Sequence, residues 1–472
     1  MSDDLGAMSL RIRLAFTAGL LSLVLLPSAQ ADAGGLPAWG IEQAPNVGGV
    51  LNAISVRAHD DIWAVGYSNG EVNSRTLTMH FDGSAWTVVP SPNLPDGNRL
   101  EDVVALSSTN VWAVGWTSNP STLDNRSFSM HWDGTSWTIV PTPQPGGSSV
   151  DRLKAVDAAG PNDVWATGVY WDSQTHGHSV ILHWDGKSWR RVAVGAPSLR
   201  LLPTSECDTY SGLTGLTVVS AHDVWAVGDE TTCHYNGASW REVPSPQPRP
   251  EYNEFTYPLE DVSAAAPNDV WAVGARTLES LNGVEWQTLA EHWNGSAWTP
   301  FYFVPVGQIF LGVDAVAAND VWAVGTDDYG AMIAHYDGSE WTHVPTPASG
   351  QGGDLGGIDS AAPDDLWAAG FTFNGNVIEH APSSTQGAVV GATNVSFSTV
   401  SWFGPVNGST QADAFGGYEA GGLPAGTYTF TATEPGCVPD SRSVTVQSGA
   451  TLTEAFHINC GPGPGRAAAG PR

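Results

Sequence analysis

One six-residue segment recurs seven times in this chain. It reads "DIWAVG" at residues 61–66 and returns as "NVWAVG", "DVWATG", "DVWAVG" (three times) and "DLWAAG". The copies are 45 to 60 residues apart, and their shared tryptophans are Trp63, Trp112, Trp165, Trp225, Trp271, Trp322 and Trp367. A repeat of this length is one supersecondary unit that cannot bury its apolar face alone, so the copies must pack against one another.

The first six copies each carry four strand signals. A large apolar residue twelve positions before the shared tryptophan opens an alternating stretch, and the "VWAVG" segment follows after a short polar turn. A third stretch runs into Asp-Gly or Asn-Gly, the strongest short-range hairpin signal. The fourth opens on a second tryptophan and ends in proline, as in "WTVVPSP". This pattern predicts an all-β fold, a β-propeller with one four-stranded blade per copy.

The seventh copy lacks its fourth strand. The second tryptophan occurs six times within the repeats and does not return after His380; its positions are Trp86, Trp137, Trp189, Trp240, Trp298 and Trp341. Near the amino terminus, "PAWGIEQAPN" separates Trp39 from Pro45 by the same six residues that separate Trp86 from Pro92. We therefore expect the amino-terminal strand to complete the last blade and close a seven-bladed ring over residues 36–382.

The repeat resembles the kelch and galactose-oxidase-like propellers. In those families an apolar strand ends in glycine, a middle strand carries an aromatic residue and Asp, and the outer strand opens on tryptophan. Kelch blades usually carry Gly-Gly where this chain has a single glycine such as Gly66 or Gly115. A tectonin-like lectin propeller is the alternative match.

A different pattern follows "APSSTQG". Alternating strands punctuated by glycine and proline predict a small antiparallel β-sandwich. The stretch "GLPAGTYTFTA", followed by "VTVQSGAT", resembles the carboxypeptidase-regulatory-like domain, here assigned to residues 386–461. That resemblance implies an accessory, non-catalytic role. The tail at 462–472, "PGPGRAAAGPR", is predicted to be disordered and carries no sorting motif, which favours release over anchoring.

The chain opens with the features of a secretory signal. Arg11 and Arg13 precede an apolar run, and small residues surround Ala29 and Ala31, so residues 1–31 are predicted to be a signal peptide, with Met8 as an alternative initiator. The formal net charge is −30, which repels phosphate backbones and excludes nucleic acid and anionic membranes as partners. We expect a secreted, extracellular monomer.

Four cysteines in an exported protein favour two disulfides. The loops that carry Cys207 and Cys233 open on the same face of a propeller, and Cys437 and Cys460 lie together in the carboxy-terminal segment. The predicted pairs are therefore Cys207–Cys233 and Cys437–Cys460, one of three possible connectivities.

Two sets of periodic residues are predicted to be structural. One histidine per blade spreads around the ring instead of converging on one ion, so we expect a hydrogen bond within or between blades; these are His80, His131, His183, His234, His292, His335 and His380. The fourteen repeat tryptophans are predicted to pack between blades.

Ligand-binding residues are expected where the repeat varies. The connections between second and third strands, and those between blades, differ in length and share one face of the ring. Aromatic residues there could stack on sugar rings, with neighbouring carboxylates bonding the hydroxyls. The candidate ligand-binding residues are Tyr67, Trp116, Tyr170, Trp171, Asp172, Tyr252, Tyr257, Tyr302, Asp327, Asp328, Tyr329 and Phe371.

Metal signals are few. Asp172, His176 and His178 could supply three ligands to one ion, although a flexible solvated loop with incidental histidines is the favoured interpretation. Asp327 and Asp328 could contribute to a calcium site through oxygen ligands. No other cofactor is predicted.

These features predict a binding or adhesion protein that holds a polysaccharide or a cell-surface protein. The alternative is an extracellular carbohydrate-active enzyme, a glycoside hydrolase or lyase, which needs two carboxyl groups flanking one bond; candidates are Asp172, Asp229, Glu230, Glu254 and Asp327. A copper oxidase is disfavoured because disulfides account for all four cysteines. No catalytic motif is visible, so the sequence favours binding.

Overall fold

The computed structural model describes most of the chain from residue 37 to residue 460. The ranges outside the description are 1–36, 38, 69–73, 120, 123, 148–149, 173–175, 194–206, 229–230, 246–257, 281–282, 303–307, 364, 383–386, 397, 404–407, 413–416, 424–425, 447–450 and 461–472. The predicted signal peptide and tail, Tyr252, Tyr257 and the predicted domain boundary at 383–386 therefore lie outside the described residues. The described residues form strands joined by turns and loops. Among these residues, no helix is long and apolar enough to cross a membrane.

Twenty-eight strands make up the repeat region. Those of the first half are β1 Gly40–Ile41, β2 Val50–Ala58, β3 Asp61–Ser68, β4 Arg75–Phe81, β5 Trp86–Val88, β6 Gly97–Ser107, β7 Asn110–Ser118, β8 Asn125–Trp132, β9 Trp137–Val140, β10 Asp151–Gly160, β11 Asp163–Trp171, β12 Gly177–Trp184 and β13 Trp189–Arg191. Those of the second half are β14 Leu213–Ser220, β15 Asp223–Gly228, β16 Thr231–Tyr235, β17 Trp240–Glu242, β18 Leu259–Ala266, β19 Asp269–Ser280, β20 Gly283–Trp293, β21 Trp298–Tyr302, β22 Ile309–Ala317, β23 Asp320–Asp327, β24 Gly330–Tyr336, β25 Trp341–Val344, β26 Asp354–Ala362, β27 Asp365–Thr372 and β28 Gly375–Ala381.

These strands form seven four-stranded sheets, the blades. Six blades use four consecutive strands, from β2–β5 to β22–β25, while the seventh has the order β1-β28-β27-β26. In that blade Gly40 pairs with His380 and Ile41 with Glu379, antiparallel. The first strands contact one another in a closed circle from β2 through β26 and back to β2. The predicted seven-bladed ring, closed by the amino-terminal strand, is confirmed.

Seven tryptophan pairs join the blades. Each outer-strand tryptophan packs edge-on against the second-strand tryptophan of the preceding blade, with ring centroids 5.2 to 6.0 Å apart; the pairs are Trp86–Trp367, Trp137–Trp63, Trp189–Trp112, Trp240–Trp165, Trp298–Trp225, Trp341–Trp271 and Trp39–Trp322. This is the edge-to-face geometry that aromatic quadrupoles favour. The fourteen repeat tryptophans therefore pack between blades, as predicted, and Trp39 supplies the last contact.

The first residue of the repeated segment holds the periodic histidine. In every blade the histidine Nε2 lies 2.6 to 2.9 Å from the Asp or Asn side chain that opens the second strand. The imidazole also packs against the shared tryptophan, as His80 does on Trp63 at 4.5 Å between centroids. In blade 2 the partner is the neutral Asn110, and burial lowers the pKa of His131. The predicted structural role of the seven histidines is confirmed, as a bond within each blade.

The single glycine that ends each segment is required by a bulge. The register between β6 and β7 shifts after Leu100, which brings the Arg99 carbonyl against Gly115. A Cβ atom at Gly115 would collide with that oxygen, and the other six blades repeat the arrangement at Gly66, Gly168, Gly228, Gly274, Gly325 and Gly370. Glycine inside a strand commonly marks such a close backbone approach.

Five buried aspartates lie on the first strands, and four of them accept a backbone hydrogen bond from the next blade. The backbone N–H groups of Val156 and Val313, each in the next blade, donate to Asp102 and Asp261 at 2.7 and 2.9 Å. Asp157 and Asp359 accept equivalent bonds, each 2.6 Å long. Burial raises the pKa of Asp261 to about 7 and those of Asp157 and Asp314 to about 6, and it outweighs the hydrogen bonds that oppose it.

A carboxy-terminal pair of sheets follows the ring. Its strands are β29 Gly387–Thr393, β30 Thr399–Phe403, β31 Gly408–Gln411, β32 Gly417–Leu423, β33 Gly426–Thr433, β34 Asp440–Val446 and β35 Thr451–Phe456, in the orders β32-β29-β35 and β31-β30-β33-β34. Tyr428 and Phe430 are fully buried in the core of these sheets. The predicted sandwich is present, but it is not wholly antiparallel, because β29 and β35 pair in parallel. The chain between them passes through the other sheet and returns in the same direction, which a parallel pair requires.

Replacing the bulge glycine should destabilise the ring. We expect Gly115→Ala to lower the free energy of unfolding by about 1–3 kcal/mol, because the added methyl group overpacks against the Arg99 carbonyl. Gly160→Ala is the matched control, since a Cβ atom there meets nothing within 4 Å. Denaturant unfolding checks both variants, and equal losses in the two would contradict this explanation.

The buried first-strand aspartates should make the stability of the protein depend on pH. Folding raises these pKa values, so the stabilisation is complete below about pH 4, the ordinary aspartate range, and is lost as pH rises through 6 to 7. We expect the Tm of the protein to fall between pH 5 and pH 8, and to fall less steeply in Asp261→Asn. The control is Asp328→Asn at an exposed turn. If Tm fell equally steeply with pH in all three proteins, the buried first-strand aspartates would be ruled out as the cause.

Candidate functional site

The two faces of the ring differ in their connections. We call plain face the side with the first-to-second and third-to-fourth strand turns, and variable face the opposite side. A Cβ atom at Gly83 would contact Asp60, and one at Gly186 would contact Asn162, so the two kinds of turn pack together on the plain face. The Asp82 side chain accepts hydrogen bonds from the Ser84 hydroxyl and from the N–H groups of Ser84 and Ala85, and these bonds lower its pKa to about 2.

The connections on the variable face are unequal. In blade 6 the second and third strands are joined by two residues, Asp328 and Tyr329, whereas in blade 5 they run on to Ser280 and Gly283 as a long hairpin. This extension was not expected from the repeat pattern. The Asn-Gly dipeptide at 282–283 is the signal that could have identified it.

A stack of four side chains spans blades 1 to 3 on the variable face. We call it the arginine ladder: Tyr67, Arg99, Trp116 and Arg152. The Arg99 Cζ lies 4.6 Å from the Tyr67 ring centroid and 5.0 Å from that of Trp116, and the Arg152 Cζ lies 4.3 Å from Trp116. Distances below about 6 Å are typical of cation–π contacts.

Neighbouring polar groups fix the ladder. The Trp116 indole N–H donates to Glu101 at 2.5 Å, and Lys154 donates to the other oxygen of that carboxylate at 3.2 Å. With its amide oxygen turned towards Arg152, Asn125 accepts bonds from the Arg152 guanidinium at 2.8 and 3.2 Å. Burial lowers the pKa of Arg152. The Glu101 carboxylate thus contacts Lys154 and interacts electrostatically with Arg152.

The ladder changes what Trp116 can contact. Its side chain is only 7% exposed, and its ring faces are covered by guanidinium groups. The exposed chemistry at this position is therefore cationic and planar, which suits carboxylate groups better than sugar faces.

A second cluster lies on blade 3. Tyr170 stacks on His178 at 4.9 Å, and Arg191 donates to the Tyr170 hydroxyl at 2.7 Å while its Cζ lies 4.5 Å from that ring. Asp208 accepts a bond from the Ser179 N–H and lies 2.9 Å from His178 Nδ1. Tyr170 is therefore already engaged on its ring and its hydroxyl.

The predicted disulfide Cys207–Cys233 is present and anchors the segment that carries Asp208; Cys437–Cys460 is present as well. Both predicted pairs are confirmed. Near Asp208, the Asp172 carboxylate lies 3.5 Å from His176 Nδ1 and 3.4 Å from His178 Nε2. A metal at Asp172, His176 and His178 stays a prediction.

The remaining candidates are spread over blades 3 and 5 to 7. Trp171 packs edge-on with Tyr210, and Arg276 lies 3.5 Å over the Tyr302 ring. Asp327 accepts the N–H groups of Tyr329 and Gly330 within its turn, while Asp328 is exposed and Phe371 is half-buried in β27. Tyr329 is 75% exposed, and Phe373 beyond β27 is 88% exposed. Their role in binding stays a prediction.

Sequence reasoning missed the arginines that accompany these aromatics. Arg99 and Arg152 occupy the position immediately before the leucine that opens a first strand, where other blades have Val50, Gly212, Pro258, Ile309 or Asp354. Two cations at one repeat position in so acidic a chain were the available signal.

Two carboxyl groups on this face have raised pKa values. Burial raises the pKa of Asp151 in blade 3 and of Asp354 in blade 7 to about 6. They belong to blades that are not neighbours in the ring. Asp229, Glu230 and Glu254, considered above as catalytic carboxylates, lie outside the described residues.

Comparison with known proteins gives one family match. Residues 374–459 match the carboxypeptidase regulatory-like domain, so the predicted resemblance of this segment is confirmed. The match begins inside the last blade, because β28 starts at Gly375. No curated protein matched.

Similar solved structures include two of YCF48. The one titled "YCF48 bound to D1 peptide" has 15% identity and a TM-score of 0.45, and covers 75% of this chain and 100% of its own. YCF48 from Cyanidioschyzon merolae has 15% identity and a TM-score of 0.44, over 73% and 98%. Chaetomium thermophilum Sqt1 bound to the N-terminus of the ribosomal protein L10 has 11% identity and a TM-score of 0.43, over 71% and 90%.

Proposed function

We propose that this protein is an extracellular binding protein whose variable face holds an acidic segment of a partner protein. The observation that carries the proposal is the arginine ladder, in which Arg99 and Arg152 stack on Trp116. A guanidinium group presents a planar fork of donors that matches a carboxylate. Stacking holds that fork in place before the ligand arrives, which reduces the entropic cost of binding.

The charge of the chain makes the ladder selective. With a net charge of −30, most of the surface repels an acidic ligand. Arg99, Arg152 and Lys154 outnumber Glu101 at one position, so attraction is confined to the variable face of blades 1 to 3. Such local complementarity favours one docking orientation over others.

A glycan is the second candidate ligand. Tyr329 and Phe373 project from the variable face of the adjacent blades 6 and 7 and are the most exposed large apolar side chains of the described residues. Such rings provide contact area for sugar faces. An enzyme acting on the same polymer would need a carboxyl pair across one bond, and Asp151 and Asp354 lie on blades that are not neighbours.

The ladder is tested with a poly-glutamate peptide as the probe. Binding to the chain from residue 32 onwards is measured by biolayer interferometry at low salt, for wild type and for the double variant Arg99→Gln/Arg152→Gln. We expect the double variant to bind at least tenfold more weakly, because two charge-assisted contacts are lost. The control is Arg126→Gln, an exposed arginine outside the ladder, which should change affinity less than twofold.

Equal binding by wild type and the double variant would refute the acidic-ligand proposal. The glycan candidate has its own test, co-sedimentation with insoluble polysaccharides and bacterial cell walls. Binding to one polymer that is lost in Tyr329→Ala/Phe373→Ala, but kept in the ladder variant, would favour a glycan over a protein ligand.

A further inference from the structure

We propose that His59, Asp365 and His380 form a binding site for a divalent transition metal, best suited to zinc, at the seam where the ring closes. Asp365 and His380 belong to blade 7, and His59 lies in the plain-face turn of blade 1. This site is separate from the variable face and does not depend on the function proposed above.

The three side chains converge on one point. His59 Nδ1 lies 2.8 Å from Asp365 Oδ2, and His380 Nε2 lies 2.8 Å from Asp365 Oδ1. One ligand atom from each residue lies within 4.8 Å of the other two. Tetrahedral zinc with bonds of 2.0–2.2 Å places its ligand atoms roughly 3.4 Å apart, so small shifts of these side chains are sufficient.

Glu42 supplies the hydrogen bond that a ligating histidine normally makes. Its Oε1 lies 3.1 Å from His380 Nδ1, on the ring edge opposite Asp365. A carboxylate in this position fixes the tautomer of a metal-bound histidine and raises its basicity.

The same contact creates a demand for positive charge. A neutral imidazole has only one N–H to donate, and His380 has a carboxylate oxygen at each ring nitrogen. One nitrogen lone pair would then face a carboxylate oxygen unless a second proton or a cation lies between them. A dication next to Asp365 satisfies that need and balances the two carboxylates.

The repeat departs from its own pattern twice, and both departures meet here. The position of His59, four residues before the shared tryptophan, is occupied elsewhere by side chains poorly suited to metal binding: Ser108, Pro161, Ala221, Pro267, Ala318 and Pro363. The position of Glu42, three residues after the outer tryptophan, is apolar in the other blades: Val89, Val140, Val192, Val243, Phe301 and Val344. At these two repeat positions, the Asp–His pair found in six blades therefore gains a third ligand and a supporting carboxylate where blade 1, blade 7 and the amino-terminal strand meet.

Burial divides the site into a fixed part and an open part. The side chains of Asp365 and His380 are each 6% exposed, whereas that of His59 is 47% exposed. Metal can enter from the plain face, and a water molecule can complete the coordination there. Because the ligands come from both sides of the seam, bound metal would stabilise the closed ring.

The test uses the chain from residue 32 onwards after removal of metal with a chelator. We expect one zinc ion per chain by equilibrium dialysis and elemental analysis, a higher Tm with zinc, and a tetrahedral absorption spectrum with Co²⁺. His59→Gln should abolish the spectrum and the rise in Tm. Glu42→Val, which restores the residue type of other blades, should weaken binding by about 10–100-fold.

Two variants control for binding at other histidines. His222→Gln alters an exposed histidine in the corresponding turn of blade 4, and His178→Gln removes the histidine between Asp172 and Asp208. Both should bind zinc as wild type does. Equal zinc binding by wild type and His59→Gln, no binding by wild type, or loss in a control variant but not in His59→Gln would overturn the proposal.

Discussion

The edge-to-face contact between tryptophans of successive blades is the interaction on which the structure depends. The histidine of the same blade packs on each second-strand tryptophan, as His80 does on Trp63. The outer-strand tryptophan of the next blade completes the packing, as Trp137 does on Trp63. An aromatic side chain of this size buries roughly 150–250 Å², so an open row of blades would leave such a ring exposed at its end. Ring closure removes that end, because Trp86 of blade 1 packs on Trp367 of blade 7. Trp39 covers Trp322 in the same way, since the amino-terminal strand completes blade 7.

The remaining repeated residues serve this contact. The histidine of the third strand packs on the second-strand tryptophan. Its ring is held by the Asp or Asn that lies two positions before that tryptophan. The closing glycine lets the bulged first strand approach, and first-strand aspartates bond to the next blade. One six-residue segment thus contains both the packing residue and the groups that fix its position.

Both proposed sites contain residues at positions where a blade departs from the repeated sequence. Arg99 and Arg152 interrupt a mainly apolar position on the variable face, while His59 and Glu42 interrupt two positions at the seam. None of these departures from the repeat improves the packing of the tryptophans between blades. A repeat protein holds its scaffold constant through nearest-neighbour contacts, so isolated departures of this kind are the strongest functional signal that such a sequence contains.

The sequence alone determined the seven blades, the closing strand, both disulfides and the structural role of the histidines, because each depends on a period or a local pattern. It did not reveal the arginine ladder, nor the group of His59, Asp365 and His380 at the seam of the ring. The sequence predicts Trp116 as a residue that stacks on sugars, whereas the fold places Arg99 and Arg152 against its ring. His59 and His380 are 321 positions apart in the chain (380 minus 59) and meet only because the ring closes. Local patterns encode strands and turns, whereas contacts between distant residues are decided by ring geometry.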